Sequence, residues 1–136
     1  MATLLPRLDE KNAPPQEIME RVTEGLAFET LGQVARAYGV TQETMADWLG
    51  VSARTRERRR RAGSFDRLES ERLYRYIRLY RRAVEVFDDE PESAQQFLTE
   101  SQPGLNGLIP AEVARSEYGA SEVMDLLGRI DYGVHT

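Results

Sequence analysis

The chain has no cysteine, one histidine (His135) and one lysine (Lys11) in 136 residues. Without cysteine there are no disulfides, no thiolate zinc sites and no thiol nucleophiles, which suits a reducing compartment. A single histidine, next to last in the sequence, leaves no histidine metal cluster and no Ser-His-Asp triad. No apolar run approaches the ~18 residues of a membrane-spanning segment, so no membrane partner is expected. Met1–Arg7 lacks the apolar stretch of a secretory signal, and the expected location is the cytoplasm. There is no glycine-rich phosphate loop, and no nucleophile is paired with a base. An enzyme is therefore not expected, nor a metal or other cofactor.

Sustained period-2 alternation is also missing, which argues against a β-sheet. Apolar residues make up 40% of the chain, enough for a real core, and their spacing is helical nearly throughout. Pro14-Pro15 opens a first helix with Ile18 and Val22 on one face. Leu31, Val34, Ala35 and Tyr38 form the stripe of a second, which Gly39 stops. A long helix over about 68–87 carries Leu73, Ile77, Tyr80, Val84 and Phe87 on one side and Arg72, Arg75, Arg78 and Arg82 on the other. Pro91 and Pro110 suit the first turns of two short helices. Gly119 is expected to close the second of these, and Ser121 to cap a last helix with Val123, Leu126, Leu127 and Ile130 inward. Gly128 is expected to permit close helix packing. The predicted fold class is all-α.

Charge is unevenly placed. Residues 1–53 sum to −4 and residues 83–136 to −9, while residues 54–82 hold twelve arginines against four acids, for +8. The basic band points to nucleic acid, because local charge sets the surface field. It equally suits arginines paired with the acidic last third, within the chain or across a dimer.

Residues 41–61 have the organisation of a helix-turn-helix. Thr41 caps a first helix whose inner face is Met45, Trp48 and Leu49, Ala46 permits close approach, and Gly50 and Val51 make the turn. Ser52 caps the second helix, whose first residues would lie at base edges of the major groove. The candidate DNA-binding residues are Gln42, Ser52, Arg54, Thr55 and Arg58, with Gln42 placed to bind a phosphate. Arg56 and Arg59 stand where such units usually bury apolar residues. Either their stems lie along the core with their heads in solvent, or the second helix is tilted.

The stretch from Leu108 to Val134, LIPAEVARSEYGASEVMDLLGRIDYGV, resembles the toxin-binding domain of the Xre/MbcA/ParS antitoxins, and most closely those partnered with RES-domain toxins. Upstream, Ala46–Ser52, the Arg-Arg-Arg-Arg-Ala-Gly of 58–63 and Leu73-Tyr74 extend the likeness, which covers about residues 16–134. The resemblance implies a non-enzymatic antitoxin. Its front half would dimerise and repress its own operon, and its end would cover the NAD cleft of a cognate RES toxin that degrades NAD or transfers ADP-ribose. The blocking elements would be the helix from Ser121 to Ile130 and the tail to Thr136. The candidate toxin-binding residues are then Arg129, Asp131, Tyr132, Gly133, Val134, His135 and Thr136. Asp131 and the terminal carboxylate would stand in for phosphate oxygens and Tyr132 would stack as a base does. Arg129 would meet a toxin carboxylate, and the acidic last third would be drawn to a basic cleft.

The expected organisation is a flexible segment at 1–14, a helix-turn-helix DNA-binding and dimerisation unit at 15–66, and a long linking helix with the toxin-binding domain at 67–136. The expected partners are operator DNA, a second copy of the chain and the toxin, in a complex with at least two copies of each chain. The competing reading is an ordinary helix-turn-helix repressor with a C-terminal dimerisation or ligand domain.

Overall fold

The longest helix is also the axis of the fold. The computed structural model describes residues 13–133, so most of the segment expected at 1–14, and the tail residues Val134, His135 and Thr136, lie outside the described residues. Eight α-helices follow in order among the described residues: α1 Pro15–Glu24, α2 Glu29–Tyr38, α3 Gln42–Trp48, α4 Ala53–Ala62, α5 Arg67–Val86, α6 Pro91–Thr99, α7 Pro110–Val113 and α8 Glu117–Gly133. A 3-10 turn at Pro103–Leu105 precedes α7, and two isolated bridges, Ala27 with Ser64 and Gln102 with Leu108, are the only β pairing described.

α5 starts at a reciprocal capping box. The Asp66 carboxylate accepts from the Glu69 backbone N–H at 2.8 Å and the Glu69 carboxylate accepts from the Asp66 N–H at 3.0 Å, satisfying two free donors of the first turn. The helix packs against α1, α2, α6 and α8 and is buried on more than one face. The expected stripe Leu73, Ile77, Tyr80 and Val84 is buried, and so is a second one, Tyr76, Leu79 and Ala83. The expected arginine back is correspondingly narrower. Three of its four members are drawn into the fold: Arg72 donates to the Leu49 carbonyl, Arg75 to the Ala114 and Arg115 carbonyls, and Arg82 pairs with Asp131. The surrounding helices require this, because a central helix has little surface left for a solvated face.

One core runs through both halves of the chain, from Val22 and Leu31 to Val123 and Leu127. Tyr38, Trp48, Tyr76 and Tyr80 meet at its centre, with Trp48 and Tyr76 stacked at 5.9 Å. Each large apolar side chain removed from water there contributes about 1.5–3 kcal/mol. The tyrosine hydroxyls are not left bare: Tyr38 donates to the Tyr76 carbonyl and Tyr76 to the Ala111 carbonyl, both at 2.7 Å. Burial raises the pKa of both phenols, so they act as neutral donors.

The last helix departs from expectation. Gly119 does not close α7, and Ser121 is not a cap. α8 begins at Glu117, where the Ser116 hydroxyl accepts from the Gly119 N–H at 3.0 Å. Gly119 lies inside the helix because a Cβ there would stand 1.8 Å from the Val113 carbonyl oxygen; glycine permits the tight α7–α8 corner. Gly128, by contrast, has open space among the described residues where a Cβ would stand. Asp131, Tyr132 and Gly133, expected in the tail, belong to the final turn of α8.

Candidate functional site

Two short helices joined by a four-residue connection, Leu49 to Ser52, form the first part of the site. The Thr41 hydroxyl accepts from the Thr44 N–H at 3.0 Å and opens α3. Gly50, at φ +72°, takes the left-handed conformation that bends the chain, and the Val51 N–H closes the turn on the Ala46 carbonyl at 2.9 Å. The Ser52 hydroxyl then accepts from the Thr55 N–H at 3.1 Å and opens α4. Met45, Ala46, Trp48, Leu49 and Val51 lie in the core. The first helix and the turn are therefore anchored as the sequence indicated.

α4 is different. Its sequence is Ala-Arg-Thr-Arg-Glu-Arg-Arg-Arg-Arg-Ala, and none of its residues is buried. Arg54 and Arg58 sit one turn apart on the exposed side. Arg54, Arg56 and Arg58 make no hydrogen bond or ion pair among the described residues. Arg60 and Arg61 both pair with Glu57. The hydrogen bond from Arg60, helped by Arg61, lowers the pKa of Glu57 to about 2. Arg59 points the other way, to the start of α5. Its guanidinium forks onto Glu69 at 2.7 and 3.1 Å and reaches Asp66 at 3.1 Å. Glu69 holds it protonated more firmly than a free arginine. Arg59 thus replaces an apolar seat with an ion pair. The Asp66-x-x-Glu69 pattern ahead of an apolar run was the sequence signal for that receptor, and the expectation of a helix starting at Leu68 missed it.

Around α4, Gln42 is exposed at the start of α3, and its amide nitrogen lies over Gly32 of α2, 3.0 Å from where a Cβ would stand. Ser52 is exposed and Thr55 half-buried, with their hydroxyls 3.1 Å apart. The other arginines of the basic band divide by helix. Those of α5 are largely spent on backbone carbonyls and carboxylates, and those at the front of α4 face water.

The second part of the site is the open side of α8. Met124, Asp125, Gly128, Arg129 and Tyr132 line a shallow depression of about 470 Å³. Tyr132 is 82% exposed and Tyr118, one end of the same helix, 76%. Arg129 is exposed and makes no ion pair among the described residues. Asp131 is tied to Arg82 at 3.3 Å. The structure therefore brings Arg129 and Tyr132 together, and holds Asp131 against α5. Gly133 is half-buried, and Val134, His135 and Thr136 lie outside the described residues.

The two parts are braced against each other. Arg72 reaches the end of α3, Arg75 the end of α7, and Arg115 approaches Asp47 of α3 at 3.6 Å. Sequence reasoning missed this bracket, since its acceptors are mostly backbone carbonyls about 20–40 residues away in the chain. Among the described residues there is no group of three or more His, Cys, Asp and Glu that could hold a metal ion, and no helix long and apolar enough to cross a membrane.

This geometry defines a helix-turn-helix protein with an arginine-rich second helix and a C-terminal helical unit sharing its core. Comparison with known proteins is consistent along the chain. Residues 17–78 match the antitoxin Xre-like helix-turn-helix domain, and residues 82–133 match the antitoxin Xre/MbcA/ParS C-terminal toxin-binding domain. A protein named Antitoxin Xre from Photorhabdus laumondii subsp. laumondii is 34% identical over 86 residues, 62% of this chain and 58% of that relative. Another Antitoxin Xre, from Yersinia enterocolitica, is 27% identical over 118 residues, 86% of this chain and 80% of that relative. The chain thus carries an antitoxin Xre-like helix-turn-helix domain followed by an Xre/MbcA/ParS C-terminal antitoxin domain.

Proposed function

We propose that this chain is the antitoxin of a toxin–antitoxin pair, with no catalytic activity of its own. The observation that carries the reading is that both regions matching antitoxin domains keep chemistry free for a partner: Arg54, Arg56 and Arg58 on α4, and Arg129 and Tyr132 on α8. The partner at α8 is a RES-domain toxin that consumes NAD, by degrading it or transferring ADP-ribose. An NAD cleft must hold a pyrophosphate and is lined with positive charge, and residues 83–136 of this chain sum to −9. The end of α8 and the residues to Thr136 enter that cleft, with Tyr132 stacking where a base would lie and Gly133 allowing close backbone approach.

At the other end, α4 enters the major groove of the operator and the chain represses its own operon. Arg54 and Arg58 read base edges, assisted by Ser52, Thr55 and Gln42 at the phosphates. A helix-turn-helix repressor reads a palindrome through its own two-fold axis, so the chain acts as a homodimer and the toxin complex holds at least two copies of each chain. The boundary between the two working regions falls near the start of α5, at 66–67.

Co-expression with the product of the neighbouring gene tests this, reading complex formation, growth and cell NAD together. A co-purifying complex with restored NAD is expected. Separate elution, with NAD still falling, would refute it. One observation favours the alternative of an ordinary repressor: the Arg82–Asp131 pair holds the end of α8 to its own fold. Repression with no toxin in the neighbouring gene would select that alternative.

A further inference from the structure

The second helix of a helix-turn-helix must be held at a fixed angle while its outer face is given to DNA. An apolar inner face normally does this. α4 has no buried residue and no apolar side chain apart from its terminal alanines. Something else fixes it, and the described contacts are few. Beyond the turn at Gly50 there are the Phe28 N–H to the Gly63 carbonyl at 2.9 Å, the Phe65 N–H to the Leu26 carbonyl at 3.0 Å, and the Arg59 fork. The two backbone bonds hold the end of the helix. Among the described hydrogen bonds and ion pairs, only those of Arg59 join its body to another helix.

The receptor is rigid. Glu69 is 8% exposed, and its Oε1 accepts both from Arg59 Nε and from the Asp66 N–H of the capping box. A bidentate fork on a carboxylate fixed in this way restricts rotation of α4 about its own axis as well as its distance. Loss of one partner of a shielded pair is costly, because the other is left desolvated.

We propose that Arg59 and Glu69 form a latch that sets the angle at which α4 meets DNA, so that Arg59 is a positioning residue and not a DNA contact. This rests on the DNA-binding reading above. The latch itself is testable without DNA.

Glu69→Gln keeps an oxygen for the Asp66 N–H, since glutamine also serves in a capping box, but removes the charge that grips the fork. Arg59→Leu removes the other half. Each full-length variant is measured by backbone hydrogen exchange, and by titration with the duplex upstream of the chain's own gene over a salt series. In both variants, amides of residues 53–62 should exchange about tenfold faster while those of α5 keep their protection. Affinity for the duplex should fall about tenfold, with the slope of log K against log salt unchanged. Arg59→Lys, which keeps the charge and loses the fork, should recover part of both. Arg58→Ala serves as the contrast, weakening duplex binding as loss of a base contact does while exchange over α4 stays as in the wild type. A slope reduced by about 1 in Arg59→Leu would make Arg59 a phosphate contact and overturn the assignment. Unchanged exchange over α4 in Glu69→Gln would overturn the latch. A wild-type chain that binds no duplex would overturn the role at DNA alone, so the two failures are distinct.

Discussion

The Tyr76 hydroxyl donates to the Ala111 carbonyl oxygen at 2.7 Å, and so ties the axis of the fold to the short helix that precedes α8. Tyr76 also stacks on Trp48 at the end of α3. One side chain thus touches both regions that match antitoxin domains. Tyr76→Phe leaves the Ala111 carbonyl buried without its donor, and we expect a loss of about 1–2 kcal/mol in urea unfolding. The transition should remain single, with fluorescence and circular dichroism coinciding. Two separated transitions would show that the halves do not share a core.

At α4 we expect Arg54→Ala and Arg58→Ala each to weaken operator binding by about 1–3 kcal/mol if they meet base edges. Neither residue makes a hydrogen bond or ion pair among the described residues, so the thermal midpoint should not move. Gel shifts on promoter DNA give the measurement. Unchanged shifts in both variants would sink the DNA interface.

Gly119→Ala should be severe. The added methyl would stand 1.8 Å from the Val113 carbonyl, a backbone atom that cannot rotate away. The α7–α8 corner must open, and α8 carries the proposed toxin face. A lowered melting temperature and loss of toxin co-purification are expected, with Gly128→Ala as a control. That position faces open space and should tolerate the methyl, since alanine favours helix more than glycine does.

Removal of residues 131–136 tests the plug. Growth and cell NAD in the presence of the toxin should both fall to the unprotected level. Tyr132→Ala should give a partial loss with little change in stability, since the residue is 82% exposed. Breaking the Arg82–Asp131 pair by Arg82→Gln costs little stability, as an exposed pair contributes about 0–1 kcal/mol. It should strengthen neutralisation if Asp131 is needed by the toxin. Full protection by the truncated chain would exclude the plug.

The Glu57 brace has a defined pH window. Its folded pKa is lowered from 4.5 to about 2 by Arg60 and Arg61. A lowered carboxylate pKa contributes stability that is complete above the unfolded value and is lost as pH falls toward the folded one. Amide protection of α4 should therefore be level from pH 8 to about 5 and decline between 4.5 and 2. Glu57→Gln should show less of this decline. An equal decline in that variant would assign the effect to other carboxylates.

Much of the local structure was legible because its causes are local. Pro14-Pro15, Thr41, Ser52, Pro91 and Pro110 start helices through neighbours in sequence, and Gly39 ends one. The apolar stripe from Leu73 to Val84 was also readable from spacing alone. The last helix was misread at its start, because Gly119 looks like a stop when its three-dimensional neighbour, Val113, is unknown. The arginine back of α5 was misread for a related reason. Periodicity shows one apolar face, whereas Tyr76 and Leu79 are buried by helices from elsewhere in the chain.

The helical character of the chain, the turn between α3 and α4, and the division of charge into a basic middle and an acidic end all follow from residue order, since capping, periodicity and net charge depend on residue type and spacing. Tertiary structure alone decided which arginines are free. Arg59 and Arg75 are held by groups that only folding brings near, while Arg54 and Arg58 are exposed, with nothing among the described residues packed over the front of α4.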